Sequence, residues 1–381
     1  MLKRLPILIF LLILFYVYTK ERNFKENTIK IGTSLPNTGM IKQWGKSVEA
    51  GANSYFKYAN ENNIIKDKKI DLIIYDDKYE PDLTLDNLKK LIYIDKVYAL
   101  FGFVGTPTVK NILPILDEEN IPLIAPFTGA SFLRRKNHSN YINFRSSYNE
   151  EIETLVKYLN DTKKLNKFAV FYQNDDYGEE GYVSLINSLK KRNLQLVAEG
   201  SYKRNTISIN HAIHEIRHTT PEVIMMIGAY KANALFIKKA KEDSNFKNTI
   251  FCNISFGDAN AMVHELQALN VDTKNLIFSQ VVPNYLDSSI PVVKEYQTLM
   301  KKYYPDEKLS FISLEAFLAS KTFVWALSKI EGNITRSKLL KLLKKVPPNL
   351  LEGLHLNFKN SQLLNKIYLF EYEKSTFKLI K

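Results

Sequence analysis

At 381 residues the chain exceeds the size at which one hydrophobic core usually keeps growing, so two lobes are the starting expectation. Its composition, 45% hydrophobic and 24% charged, excludes wholesale disorder. The net charge of +13 raises the question of nucleic acid or an anionic membrane. The lysines are scattered, with Lys89 and Lys90, Lys238 and Lys239, and Lys301 and Lys302 on the polar faces of predicted helices. That pattern is a solvated surface and not a nucleic-acid stripe.

Residues 1–27 stand apart. Lys3 and Arg4 precede an unbroken apolar run at 5–18, and Lys20, Glu21 and Arg22 restore polarity. A charged start and a short apolar stretch are the pattern of an export signal. Phe15, Tyr16, Val17 and Tyr18 are bulky where a cleavage site needs small residues, and no Cys follows for lipidation. The expectation is export, with the segment either removed or kept as a membrane anchor and the body outside the cytoplasm.

From residue 29 strand and helix signals alternate, which indicates parallel sheets covered on both faces. Short apolar runs at 29–35, 70–75, 97–101 and 122–125 read as strands. After the first comes GMIKQWGKS at 39–47, a near miss to a phosphate-binding loop with one residue too many between its glycines. Trp44, at the start of the following helix, suits either a ligand wall or the core. Asp76 and Asp77 close the second strand and read as capping residues, since no further acids stand at metal-binding spacing.

The stretch 97–135 reads as a strand, a Gly-Thr turn opening a helix, a second strand, and another Thr-Gly turn opening a second helix. Two helix N-termini side by side at a sheet edge would make a site for a small carboxylate. No nucleophile with a base stands there, so the site holds a ligand without transforming it.

An extended segment at 141–145 then leads to a helix with early Glu150 and Glu151, and the alternation restarts. Strands are expected at 168–173, 194–199, 223–227 and 249–254. Asp175, Asp176, Tyr177 and Gly178 follow the first of these, and Tyr230 follows the third. Both tyrosines can close a ring over a ligand from the second lobe. His214-Glu215-Ile216-Arg217-His218 is a literal H-E-x-x-H, the spacing of a zinc-binding helix. Thr219, Thr220 and Pro221 end that helix at once, and Ile209, Ile213 and Ile216 take its inner face, so the histidines are expected in solvent. Cys252, the only cysteine, lies in an apolar run and reads as a buried, inert thiol. A strand stopped at Pro283 marks a second passage between lobes. Helices follow at 292–303, 314–330 and 335–346, and a β pair is expected from 351–358 and 367–372. No G-x-S-x-G, Cys-His pair or complete dinucleotide fingerprint occurs.

The segments IKIGTSLPNTG (29–39), FGFVGTPT (101–108), PFTGASFLR (126–134), FRSSYNEE (144–151), QNDDYGEEG (173–181), YKRNT (202–206) and SQVVP (279–283) together resemble a known family. It is the periplasmic substrate-binding proteins of branched-chain amino-acid-type ABC transporters. The resemblance implies an α/β fold of two doubly wound, Rossmann-like parallel-sheet lobes joined by a hinge, a type I Venus flytrap. It implies lobe 1 at 28–145 and 283–353, lobe 2 at 146–282, and strands returning to lobe 2 at 354–381. By position, Gly105, Thr106, Thr128 and Gly129 would take a ligand carboxylate, with Trp44 as wall and Tyr177 and Tyr230 closing over it. Phe256 or Asp258 would face an amino group, although this chain lacks the clear acid that amino-acid binders place after that strand. The implied activity is binding without catalysis, with no cofactor, no metal and no nucleic acid. The implied partners are a small amino-acid-like ligand, an ABC permease and, through the N-terminal segment, the membrane. A membrane-tethered ligand sensor is the alternative.

Overall fold

The computed structural model describes residues 27–135 and 140–380; the apolar segment read as an export signal lies outside them. Five parallel strands form the first sheet: β1 (Thr28–Leu35), β2 (Lys69–Asp76), β3 (Ala99–Phe101), β4 (Leu123–Ile124) and β5 (Tyr141–Ile142). Their order is β2-β1-β3-β4-β5, so the strand order reverses at β1 and β3. Helices α1 (Lys42–Glu61), α2 (Pro81–Lys89) and α3 (Thr106–Glu119) are the crossovers. β3 and β4 are wholly buried, which is why they read as continuous apolar runs.

The chain then enters α4 (Tyr148–Val156) and builds a second sheet. Its parallel strands are β6 (Phe168–Gln173), β7 (Leu196–Tyr202), β8 (Val223–Ile227), β9 (Ile250–Asn253) and β10 (Leu276–Gln280). Helices α5 (Asp176–Lys190), α6 (Asn210–Arg217), α7 (Tyr230–Lys241) and α8 (Ala259–Ala268) connect them. The hairpin β11 (Tyr368–Glu373) and β12 (Thr376–Leu379) extends this sheet antiparallel to β10, giving the order β12-β11-β10-β9-β8-β6-β7.

Between β10 and β11 lie α9 (Pro291–Tyr303), α10 (Phe311–Ser328) and α11 (Arg336–Leu343). α9 and α10 pack on α1, under the first sheet. α10 is long and apolar enough to cross a membrane, but most of it is buried inside the protein, as a core helix.

The expected terminal β pair is displaced along the chain. Residues 351–358 form no strand; Leu351 and Leu356 are instead buried singly in the core. The chain at 361–364 runs beside the first passage, with Asn143 N–H donating to Ser361 O at 2.9 Å and Leu364 N–H to Phe144 O at 2.8 Å. The hairpin is closed by Lys374 and Ser375, both at positive φ (47° and 62°), a turn geometry usually signalled by Asn-Gly.

Candidate functional site

Open α/β sheets bind ligands beyond the carboxyl ends of their strands, where the strand order reverses. In the first sheet the residues there follow β1, β3 and β4. Gly105 precedes α3 at φ +104°, a conformation that L side chains rarely adopt. Thr106 opens α3 and Thr128 follows β4, and their hydroxyls meet at 2.7 Å. After Gly129 the chain makes only a short 3-10 helix, Ser131–Arg134, and not the expected second α-helix. The side chain of Arg134 folds back onto Ala130 O and Arg145 O, and four residues of helix are all the chain allows before it extends. Of the two neighbouring α-helix starts expected from 97–135, only that of α3 forms.

Trp44, on the first turn of α1, is 1% exposed. Its indole stacks on Phe256 with centroids 4.9 Å apart, meets Phe127 edge-on, and donates Nε1–H to Phe256 O at 3.2 Å. Phe256 comes from the segment after β9, so this contact joins the two sheets. Tyr177, on the first turn of α5, lies 4.6 Å from Phe256 and 5.4 Å from Tyr148, centroid to centroid. The structure thus brings together Trp44, Gly105, Thr106, Thr128, Gly129, Tyr177 and Phe256.

Tyr230 and Asp258 stand next door. They line a cavity of about 600 Å³ with Lys42, Ser47 and Tyr285. Asp258 caps α8, accepting from Ala261 N–H at 3.0 Å, while its Oδ2 has no partner. Burial pushes its carboxyl up to about 7.

Three residues join the cluster that sequence reasoning missed. Tyr79 follows β2 at φ +64°, and its hydroxyl accepts from Gln173 Nε2 at 3.2 Å across the lobes. A bulky residue in that region is strained, and such strain gathers at functional positions. Tyr148 begins α4; its hydroxyl lies 3.4 Å from Thr106 Oγ1, and its backbone N–H donates to Gly129 O at 2.9 Å. A side chain at Gly129 would overlap Tyr148, since a Cβ there would stand 2.5 Å from its backbone nitrogen. Arg145 is fully buried, paired with Glu315 through Nε and Nη2, each at 2.9 Å, and its guanidinium lies 5.8 Å from the Trp44 ring.

Carboxylates around the cluster are committed to partners. Glu151 accepts Ser255 N–H and Oγ–H at 2.8 Å each and Ser279 Oγ–H at 2.6 Å. Burial raises its carboxyl, against the pull of Arg145 and those donors. Among buried polar atoms here, Tyr177 OH and Arg145 Nη1 have no partner. Burial holds the Tyr177 phenol well above its usual range, so it remains a donor. Polar pairs rim the cleft: Arg204 binds Glu80 at 3.1 Å and Asp175 at 3.3 Å, Lys110 pairs with Asp176, and Glu180 accepts Ser131 N–H and Oγ–H at 2.9 Å.

The H-E-x-x-H helix ends where Pro221 required it to, at Arg217. His211 and His214 are 83% and 68% exposed. Among the described residues no group of three or more His, Cys, Asp or Glu could hold a metal ion. Cys252 is buried, and burial lifts its thiol far above the reactive range.

Two doubly wound sheets whose strand ends face one another around an enclosed polar and aromatic cluster define a two-lobed ligand-binding protein. The chain matches the periplasmic binding protein family over residues 28–376 and belongs to it. The Leu/Ile/Val-binding protein homolog 7 of Brucella abortus (strain 2308) is 21% identical over 320 residues, covering 80% of this chain and 78% of that one. The structure of a possible leucine/isoleucine/valine-binding protein from Rhodopirellula baltica SH 1 is 29% identical, covers 93% of this chain and 96% of that one, and superposes with a TM-score of 0.86. A solute-binding protein of an ABC transporter from R. palustris, solved with benzoate, shares the fold at a TM-score of 0.81 and 16% identity, over 93% of this chain and 95% of that one.

Proposed function

We propose that this protein captures a small polar ligand of amino-acid, amide or carboxylate type between its two lobes outside the cytoplasm and delivers it to an ABC transporter permease. The observation that carries this reading is the Thr106–Thr128 hydroxyl pair at the strand ends of one sheet, joined through Tyr148 to the rings of Tyr177 and Phe256 beside the other. Hydroxyls and the free N–H groups of a helix start stabilise an oxyanion, and the stacked rings favour an apolar body. Export through residues 1–27 places the binding step where a transporter collects its cargo. The names of the relatives support a ligand of this size, Leu/Ile/Val in one case and benzoate in another.

A thermal-shift screen against amino acids, amides and small carboxylates tests the reading. A ligand at 100 times its dissociation constant adds about 2.7 kcal/mol to stability. Thr106→Val and Thr128→Val should each weaken the hit by about 1.5–3 kcal/mol, the worth of a hydrogen bond to a charged group. Wild-type affinity in both variants would remove the threonine pair from the site.

A further inference from the structure

We infer that Asp77 is a positioning residue for lobe closure: it holds the turn at 78–80 in the shape that the second lobe grips. The closing motion is the one that the proposed binding role calls for. Lys78 and Tyr79 stand at φ 54° and 64°, a region that is costly for a side chain as bulky as tyrosine. Consecutive residues stay there only where their surroundings over-determine them. The two acids at the end of β2 supply that constraint. Asp76 Oδ1 accepts Lys78 N–H at 3.1 Å, and Asp77 Oδ1 accepts Tyr79 N–H at 2.9 Å. Asp77 is fully buried, and its Oδ2 is fixed in turn by Ser34 Oγ–H at 2.7 Å and Thr84 Oγ1–H at 3.1 Å.

The second lobe takes hold of what this turn presents. Tyr79 OH accepts from Gln173 Nε2 at 3.2 Å, and Gln173 Oε1 accepts Tyr202 O–H at 3.1 Å. Asn205 Nδ2 reaches Glu80 Oε1 at 2.7 Å, with Lys78 O at 3.3 Å and Tyr79 O at 3.4 Å. The Tyr79 ring lies 6.0 Å from that of Phe256, centroid to centroid. Room for the Tyr79 ring comes from Gly105, where a Cβ would stand 2.3 Å from Tyr79 Cε2. The carboxylate of Asp77 bonds only to Ser34, Tyr79 and Thr84, all in the first lobe. It therefore acts on the second lobe by way of the turn. With ordinary φ values at 78 and 79 the carbonyls and the ring would point elsewhere, and Asn205 and Gln173 would lose partners on closing.

Solution scattering of the free protein makes the test, with thermal unfolding to confirm that each variant is folded. Asp77→Ala removes the acceptor for Tyr79 N–H and should enlarge the radius of gyration. Asp77→Asn keeps an oxygen there and should keep the wild-type radius. Asn205→Ala should enlarge the protein too. Asp77→Ala combined with Asn205→Ala should be no larger than Asp77→Ala alone, since both changes open one clasp. A folded Asp77→Ala with the wild-type radius overturns the inference, as does an equally enlarged Asp77→Asn, or increments that add in full. If Asp77→Ala does not fold, Tyr79→Phe and Asn205→Ala carry the test. Enlargement in both then supports the clasp, and the wild-type radius in either overturns it. No ligand enters these measurements, so a clasp that fails leaves the binding role standing. A thermal screen without a hit removes that role and leaves the clasp.

Discussion

Asp258 carries two demands that pull apart. Its Oδ1 caps α8, yet its carboxyl is pushed up to about 7 by burial, with only the backbone N–H groups of Asn260 and Ala261 resisting. The folded protein therefore holds a proton that the unfolded chain, near its ordinary 3.8, has already released. Stability from this group is largest below about pH 4, declines as pH rises, and is lost above about pH 7. Asp258→Asn keeps a capping oxygen and removes the titration. The variant should gain on the wild type as pH rises from 4 to 8, by up to a few kcal/mol. Urea midpoints across that range measure it, and a constant offset at all pH values would show that Asp258 does not titrate there. The residues legible in advance were those a strand end delivers: Thr106, Thr128, Tyr177 and Trp44 each follow a strand at a turn the sequence marks. Tyr148 and Tyr79 were not legible, because their roles depend on chain passages far away in sequence. Tyr148 looks like an ordinary first helical residue until Gly129 is packed against it.

The start of α4 is where the passages between sheets are tied. Ser147 caps the helix, Glu150 closes the box by accepting Ser147 N–H at 2.7 Å, and Gln362 from the returning chain donates to Glu150 at 2.9 Å. Ser147→Ala should cost about 1 kcal/mol, the usual worth of such a cap. Glu150→Ala should cost more, because the Gln362 contact goes too. Thermal unfolding of both variants checks the order, and a more stable Glu150→Ala would contradict it. α6 makes the opposite case, an element whose motif does nothing visible. His214→Ala with His218→Ala should leave ligand affinity and folding unchanged, and tight zinc lost in that double variant would reopen the metal reading. Alternation of apolar runs with 3.6-period segments made most strands and helices readable. The failures are instructive. The second helix after Gly129 was over-read because a Thr-Gly turn signals a start but not a length. The terminal hairpin was shifted because Lys374 and Ser375 carry no glycine signal for their positive φ.

At the scale of the whole molecule, the sheets are joined through extended passages and otherwise meet across the cleft. Two kinds of contact hold them together. The inner kind is aromatic, Phe256 against Trp44 and Tyr79, and is insensitive to salt. The outer kind is the rim, where Arg204 bridges Glu80 of one lobe and Asp175 of the other, and Asn205 Nδ2 donates to Glu80 at 2.7 Å. Rim pairs are partly exposed and individually worth about 0–1 kcal/mol. On the proposed binding role, these pairs should bias a balance between open and closed arrangements, which a ligand touching both lobes would tip further. Arg204→Ala should move that balance toward the open form without altering either lobe, because the extended passages absorb the rotation. In solution scattering the variant should show a larger radius of gyration than the wild type, and adding salt should enlarge the wild type in the same sense. A ligand found in the thermal screen should compact both, but the variant should need more of it, since closure then draws on binding energy that the rim no longer supplies. A variant that matches the wild type in radius of gyration, with the same ligand affinity, would mean that the aromatic contacts alone govern closure and the rim pairs are incidental.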